Sequence, residues 1–254
     1  MTNRQEVLHR RHGLRSLTRQ VGTHAGLWLD KYRADKEEDK VARGQLVAEV
    51  AGLAESAAYD AFYQRWKATL EKHPAVTAEA QVLGRMVIGI GAKSVLETSV
   101  TLHRTYGVPY IPGSALKGLA AAFARQRMSA IGWAAASSAY NTVFGTTTAA
   151  GYITFFDALY VPGSGHKGQA LYPDVLTVHH PKYYANAGVA PADWDSPNPV
   201  SFLSATGRYL IALAGPDAWV TATFQILRLA LAAEGIGAKT SSGYGRLELP
   251  TTGG

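Results

Sequence analysis

IGAKTSSGYGRLEL, residues 236–249, is the stretch around which the rest of the chain is read. Gly235, Gly237, Gly243 and Gly245 free the backbone for positive φ, and Lys239, Thr240, Ser241, Ser242 and Arg246 supply donors suited to phosphate oxygens. The segment reads as a loop able to lie against a polyanion backbone, with Tyr244 either stacking on a base or filling the core. An ordinary helix-to-strand connection has the same composition. A Walker A loop is excluded, because that motif needs glycine before its lysine and Ala238 stands there. ATP hydrolysis therefore loses its best support.

IPGSALKG, residues 111–118, is the second decisive stretch. It ends a strand and opens a helix with Ser114 as N-cap, which turns free N–H groups and a positive dipole end toward the same kind of ligand. Lys117 sits in the first turn, and Arg125 follows two turns later on the same face. The helix start and the glycine-rich loop are expected to converge in space on one sugar–phosphate chain.

Composition sets the outer bounds. A chain of 254 residues with 47% hydrophobic content supports a packed core. It has no cysteine, so a disulfide framework and a thiolate metal site are both excluded. HExxH and HxxxH are absent, and the adjacent His179 and His180 would point to opposite faces of an extended segment. No metal and no cofactor are expected. Residues 1–20 lack an apolar signal core, and no uninterrupted apolar window of about 18 residues occurs. A soluble, cytoplasmic protein with no membrane partner and no small-molecule substrate is expected. The net charge of +6 favours an acidic partner. Arg4, Arg10, Arg11, Arg15 and Arg19 stand against Glu6 in the first twenty residues, the pattern of a basic arm.

In chain order, a short amphipathic helix is expected within 21–31, then a charged break at 33–40. Apolar residues at three- and four-residue steps predict one long helix over 41–70, ended by His73 and Pro74. Residues 81–93 read as a first strand and 100–110 as a second extended piece. After the helix that starts near Ser114, residues 151–160 read as strand and 161–168 as loop. The prolines of 171–199 mark a long insertion too punctuated for regular core structure. Residues 199–215 read as two strands about Gly207, 217–233 as a helix and 244–249 as a last strand. Without the insertion this is an α+β chain with the order of an RRM-like (ferredoxin-like) βαββαβ domain. The division is residues 1–80 for the basic arm and helical extension, 81–249 for the domain and 250–254 for a tail.

IPGSALKG followed by an alanine-rich helix, with GAKTSSGYG near the C-terminus, resembles the RAMP superfamily of CRISPR proteins. ETSVTLHRTYGVPYIPGSALKG (97–118), GYITFFDALYVP (151–162) and DVLTVHHPKYYANAGVAPADWDSPNPVSFL (174–203) are similar to the sixth-subunit family of type III-B (Cmr) effector complexes. The resemblance spans about residues 84–249. It implies an RRM-like fold and a non-catalytic RNA-binding subunit that caps the backbone filament near the crRNA 3′ region, holding crRNA and target RNA beside other Cmr subunits. The glycine-rich loop of that family packs against RNA, which gives Lys239 and Arg246 phosphates to neutralise. The insertion becomes a thumb-like projection. In related backbone subunits an aspartate after the first strand cuts target RNA, whereas this chain has Glu97 there, a departure that argues against cleavage. The alternative is a RAMP endoribonuclease that processes precursor crRNA, with His24, His103, His179 and His180 as its candidate acids and bases. A purely structural assembly protein is the third reading.

Overall fold

The computed structural model describes residues 17–32, 40–91, 100–178 and 198–251. The predicted basic-arm residues Arg4, Arg10, Arg11 and Arg15, together with Glu97, His179 and His180, lie outside them. Three helices come first: α1 (Ala25–Lys31), α2 (Lys40–Ala51) and α3 (Ala57–Lys72). The single long helix expected over 41–70 is thus two. Gly52 is a poor helix former just after α2, and Ser56 starts α3 afresh by accepting the Tyr59 N–H on its hydroxyl at 3.2 Å.

β1 (Ala75–Val82) and β7 (Arg208–Ala214) form the spine, antiparallel from Ala75 opposite Ala214 to Gln81 opposite Arg208. Around them lie β2 (Tyr110–Ile111), β3 (Thr154–Phe155), β4 (Ala158–Tyr160) and β8 (Leu247–Glu248), in the order β2-β4-β7-β1-β8 with β3 also on β7. All pairings are antiparallel. Helices α4 (Gly113–Arg127), α5 (Ser138–Phe144) and α6 (Asp217–Ala233) complete the main unit. The first strand starts at Ala75, not at residue 81, and crosses the residue-80 boundary read from the sequence. Residues 84–90, expected as strand, are irregular. Their Met86, Val87 and Ile88 are buried, but only an isolated bridge from Met86 to Ala205 ties them to β structure.

β7 is buried from Tyr209 to Leu213, so both faces of the sheet are covered. α3 meets one face through Tyr59 and Tyr63, and the α4–α6 pair meets the other through Leu116, Phe123, Phe224 and Leu227. A second core is separate. It joins Trp28 and Leu29 of α1 and Leu46, Val47 and Val50 of α2 to Leu171 and Leu203. Those two leucines belong to a two-stranded ribbon, β5 (Leu171–Val178) with β6 (Asn198–Ala205). The insertion expected to be irregular is therefore regular in its first eight residues. Pro173 is tolerated there because a two-stranded ribbon has open edges.

Tyr59, Tyr63, Tyr160 and Tyr209 line the α3 side of the sheet, and the Tyr59 hydroxyl donates to the Tyr160 carbonyl. Burial, reinforced by Glu79, pushes the Tyr63 hydroxyl up to about 12. A phenol held protonated in the fold contributes stability that is complete below its unfolded value of about 10 and is lost as pH rises through the folded one. Unfolding free energy is expected to fall between pH 10 and 12. Tyr63→Phe should make that fall shallower without leaving an orphaned donor, since the Tyr63 hydroxyl has no partner. Chemical denaturation at stepped alkaline pH measures both, and identical slopes in the two proteins would contradict the assignment.

Candidate nucleic-acid interface

The glycine-rich loop is docked rather than free. The Ala238 N–H donates to the Val87 carbonyl and the Gly245 N–H to the Arg85 carbonyl, both at 2.7 Å, while the loop closes on itself from Ile236 N–H to Gly245 carbonyl at 2.7 Å. These approaches require glycine: a Cβ at Gly237 would stand 2.2 Å from the Val87 carbonyl oxygen, and one at Gly245 1.9 Å from that of Ile236. Beyond these anchors, Thr240–Ser242 form one 3-10 turn, entered by Lys239 at φ 59°. Ser241, Ser242 and Gly243 are exposed, and Lys239 and Thr240 are half-buried. No ion pair to a described residue occupies Lys239. The tip is therefore a donor-rich projection on a fixed base.

Two predicted loop residues already have work inside the protein. A guanidinium nitrogen of Arg246 donates to the Ala232 carbonyl at 3.1 Å, satisfying the C-terminal end of α6. Tyr244 is half-buried against Phe202, and its hydroxyl donates to Asp174 Oδ2 at 3.0 Å. Burial first, and then that bond, raises the Tyr244 hydroxyl above its ordinary value. Asp174 also receives a guanidinium nitrogen of Arg85 at 2.8 Å, and the Arg85 guanidinium lies 3.9 Å from the centre of the Tyr172 ring. His166 meets the same ring edge-on at 5.2 Å. This cluster escaped the sequence reading: Arg85 lay in an apparent strand, Tyr172 in an apparent insertion, and neither belongs to a motif. The HK dipeptide at 166–167, set in a glycine-rich loop, was the one available signal.

The second predicted element faces elsewhere. α4 is capped by Pro112, and Ser114 is an exposed residue inside the first turn, not the N-cap. The Gly113 N–H donates to Asp157 Oδ1 at 2.7 Å, so a carboxylate of the chain itself already takes the helix N-terminus. Lys117 is half-buried and Arg125 exposed. The expected convergence with the glycine-rich loop is not what the register gives. Phe156, beside Asp157, donates to the Ala212 carbonyl, whereas Val82, where the chain leaves β1 toward the irregular segment on which the loop docks, donates to that of Gly207. From Gly207 to Ala212 is roughly 17 Å of strand, which sets the two anchor points toward opposite ends of β7. Arg85, whose carbonyl receives the Gly245 N–H, belongs to the segment on which the loop is docked, and Arg127 at the C-terminal end of α4 pairs with Glu234 at 2.8 Å just before the loop; Lys117 stands in the first turn, at the other end of α4.

His24 and His103, the two described histidines among the candidate acids and bases, have structural partners. His24 caps α1, accepting the Leu27 N–H on Nδ1 at 3.1 Å and placing Nε2 3.0 Å from the Arg104 carbonyl. His103 packs among Phe62, Tyr106 and Tyr110, and burial lowers its basicity. Among the described residues no group of three or more His, Cys, Asp or Glu is disposed to hold a metal ion, and no helix is long and apolar enough to cross a membrane.

A family model of the RAMP superfamily matches residues 79–248. The CRISPR system Cmr subunit Cmr6 of Pyrococcus furiosus is 30% identical over 245 residues, covering 74% of this chain and 72% of that protein. A chain in the cryo-EM structure of the type III-B Cmr-beta bound to cognate target RNA superposes with a TM-score of 0.64 at 20% identity, over 82% of this chain and 71% of that one. The crystal structure of Cmr6 from Pyrococcus furiosus is 29% identical over 68% of this chain and 97% of that one, with a TM-score of 0.43, a superposition too loose to inform the fold.

The docking of the loop predicts unequal effects of two alanine substitutions. Gly243, at the tip, has φ 88° and open space around its Cβ position, so Gly243→Ala is expected to lower stability by about 1 kcal/mol, the left-handed strain alone. Gly245→Ala adds a backbone clash and should lower it by several times more. Equal losses in denaturant unfolding would contradict the docking.

Proposed function

Because the chain belongs to the RAMP superfamily, as a relative of the Cmr subunit Cmr6, we propose that it is an RNA-binding subunit of a type III-B CRISPR (Cmr) ribonucleoprotein. The identity to Cmr6 over most of both chains carries the assignment to such a complex. The exposed loop tip on a rigid base supports RNA as the ligand: Lys239, Thr240, Ser241, Ser242 and Gly243 offer a cation, hydroxyls and backbone N–H groups to phosphates. The finer reading is a non-catalytic, cytoplasmic subunit that caps the backbone filament near the crRNA 3′ region and helps hold guide and target RNA for antiviral defence. Its partners are then crRNA, target RNA and the other Cmr subunits. Recognition runs through backbone and shape, since a subunit serving many guides cannot depend on their sequence. Lys117, in the first turn of α4, stands apart from the loop's grip, whereas Arg125 lies in the last turn of α4, whose Arg127 pairs with Glu234 just before the loop.

The architecture fits this reading. Between β1 and β8 the chain runs strand, helix, strand, strand, helix, strand through β1, α4, β4, β7, α6 and β8, with β1 and β7 as antiparallel neighbours at the centre. That supports a ferredoxin-like unit, with residues before it as an extension and β2, β3 and the ribbon as additions. The β5–β6 ribbon, braced by α1 and α2, is the base of the thumb-like projection. A nuclease gains no support from His24 or His103, whose rings are held by capping and packing.

Lys239→Ala in the assembled ribonucleoprotein is expected to weaken binding of every RNA sequence alike and to reduce the log–log salt slope by about 0.7, one phosphate contact on a single strand. Fluorescence anisotropy across a salt series reads both. An unchanged slope would show that the loop is only a connector.

A further inference from the structure

Between the end of β1 and the 161–170 loop lies a groove of about 400 Å³ that none of the roles above uses. Arg85, His166 and Tyr172 wall it, and Gln81 and Gly207 lie on its floor. The geometry points to a seat for one unpaired base of single-stranded RNA, an inference that rests on the RNA-binding reading above and adds a base-stacking position to the phosphate grip of the loop tip.

A nucleobase needs flat polarisable walls, a polar edge contact and cations where its phosphates leave, and the groove offers each of these. The Arg85 guanidinium is held by Asp174 on one side and by the Tyr172 face 3.9 Å below, yet 36% of its side chain remains exposed. His166 stands at 80° to Tyr172 and is itself exposed, so the two rings form a corner and not a filled stack. Gln81 Nε2 donates to the Val82 carbonyl at 3.0 Å and to that of Gly207 at 3.2 Å, which fixes the amide and leaves its oxygen as an acceptor for a base edge. The mouth is open at Gly84, where a Cβ would meet nothing within 4 Å. Lys167, next in the chain after the groove residue His166, is exposed.

The nearby carboxylates do not repel a phosphate unopposed. Asp174 is bound by Arg85 and Tyr244, and Glu79 accepts a guanidinium nitrogen of Arg208 at 2.7 Å. The groove and the glycine-rich loop are also one mechanical unit, since the Gly245 N–H is bonded to the Arg85 carbonyl and the Tyr244 hydroxyl to Asp174. A strand gripped at 239–243 therefore meets Arg85 on a fixed frame.

Photocrosslinking tests this in the ribonucleoprotein purified with the full chain, its RNA substituted with 4-thiouridine and the adducts mapped by mass spectrometry. Adducts are expected on the peptides holding Arg85 and residues 166–172. His166→Ala, at an exposed position that leaves folding untouched, and Tyr172→Leu should each reduce that yield roughly ten-fold while adducts at 239–246 persist. Adducts confined to 239–246 or to other segments overturn the base seat and leave the RNA-binding reading standing. No adduct anywhere on this chain overturns both.

Discussion

The loop between α6 and β8 is bonded, backbone to backbone, to the irregular segment that leaves β1, and the arrangement of the candidate interface follows from that contact. Ala238 and Gly245 donate to the carbonyls of Val87 and Arg85, which satisfies polar groups on a stretch whose Met86, Val87 and Ile88 are buried and which has no continuous strand neighbour. A connection rich in glycine and serine would otherwise be free to move. Tied down at both ends, it instead carries a single 3-10 turn outward, so its donors are ordered before any ligand arrives. The same contact places Arg85 beside the loop, with Tyr172 and Asp174 of the ribbon behind it.

Two cores share the labour. The sheet, covered by α3 on one face and α4 and α6 on the other, fixes the end of β1 from which Arg85 emerges. The smaller core of α1 and α2 holds the ribbon through Leu171 and Leu203. Thr206 and Gly207, where β6 of the ribbon passes into β7 of the sheet, line the groove floor. Movement of the ribbon relative to the sheet would open or close that floor, which is why bracing by the N-terminal helices matters to the interface as well as to the projection.

The sequence was most legible where backbone chemistry is local. The turn about Gly207, the helix over 217–233 and the end of α3 at His73 carry their own punctuation, and the structure has all three. β1 was misplaced because AVTAEAQV is weakly apolar, whereas the neighbouring QVLGRMVIGIG carries the hydrophobic, β-branched signal of a strand. Its burial comes from packing as irregular chain under the glycine-rich loop, a tertiary fact with no sequence period. For the same reason the site was only half visible. The loop announced itself by glycine and lysine, but its neighbours Arg85, Tyr172 and Asp174 are scattered along the chain and meet only on folding. The helix at 113–118 carried a phosphate-binding pattern, and nothing in that pattern shows that Asp157, distant in sequence, already occupies the helix end.

Whether the loop tip and the groove act as one RNA-gripping frame can be read by hydrogen–deuterium exchange on the full chain within the assembled ribonucleoprotein, compared with the chain free of RNA. RNA is expected to slow exchange together at the loop tip, residues 240–243, and along the 164–168 side of the groove, because both belong to the frame built on Arg85. Protection at 113–118 with none at the loop tip would contradict it.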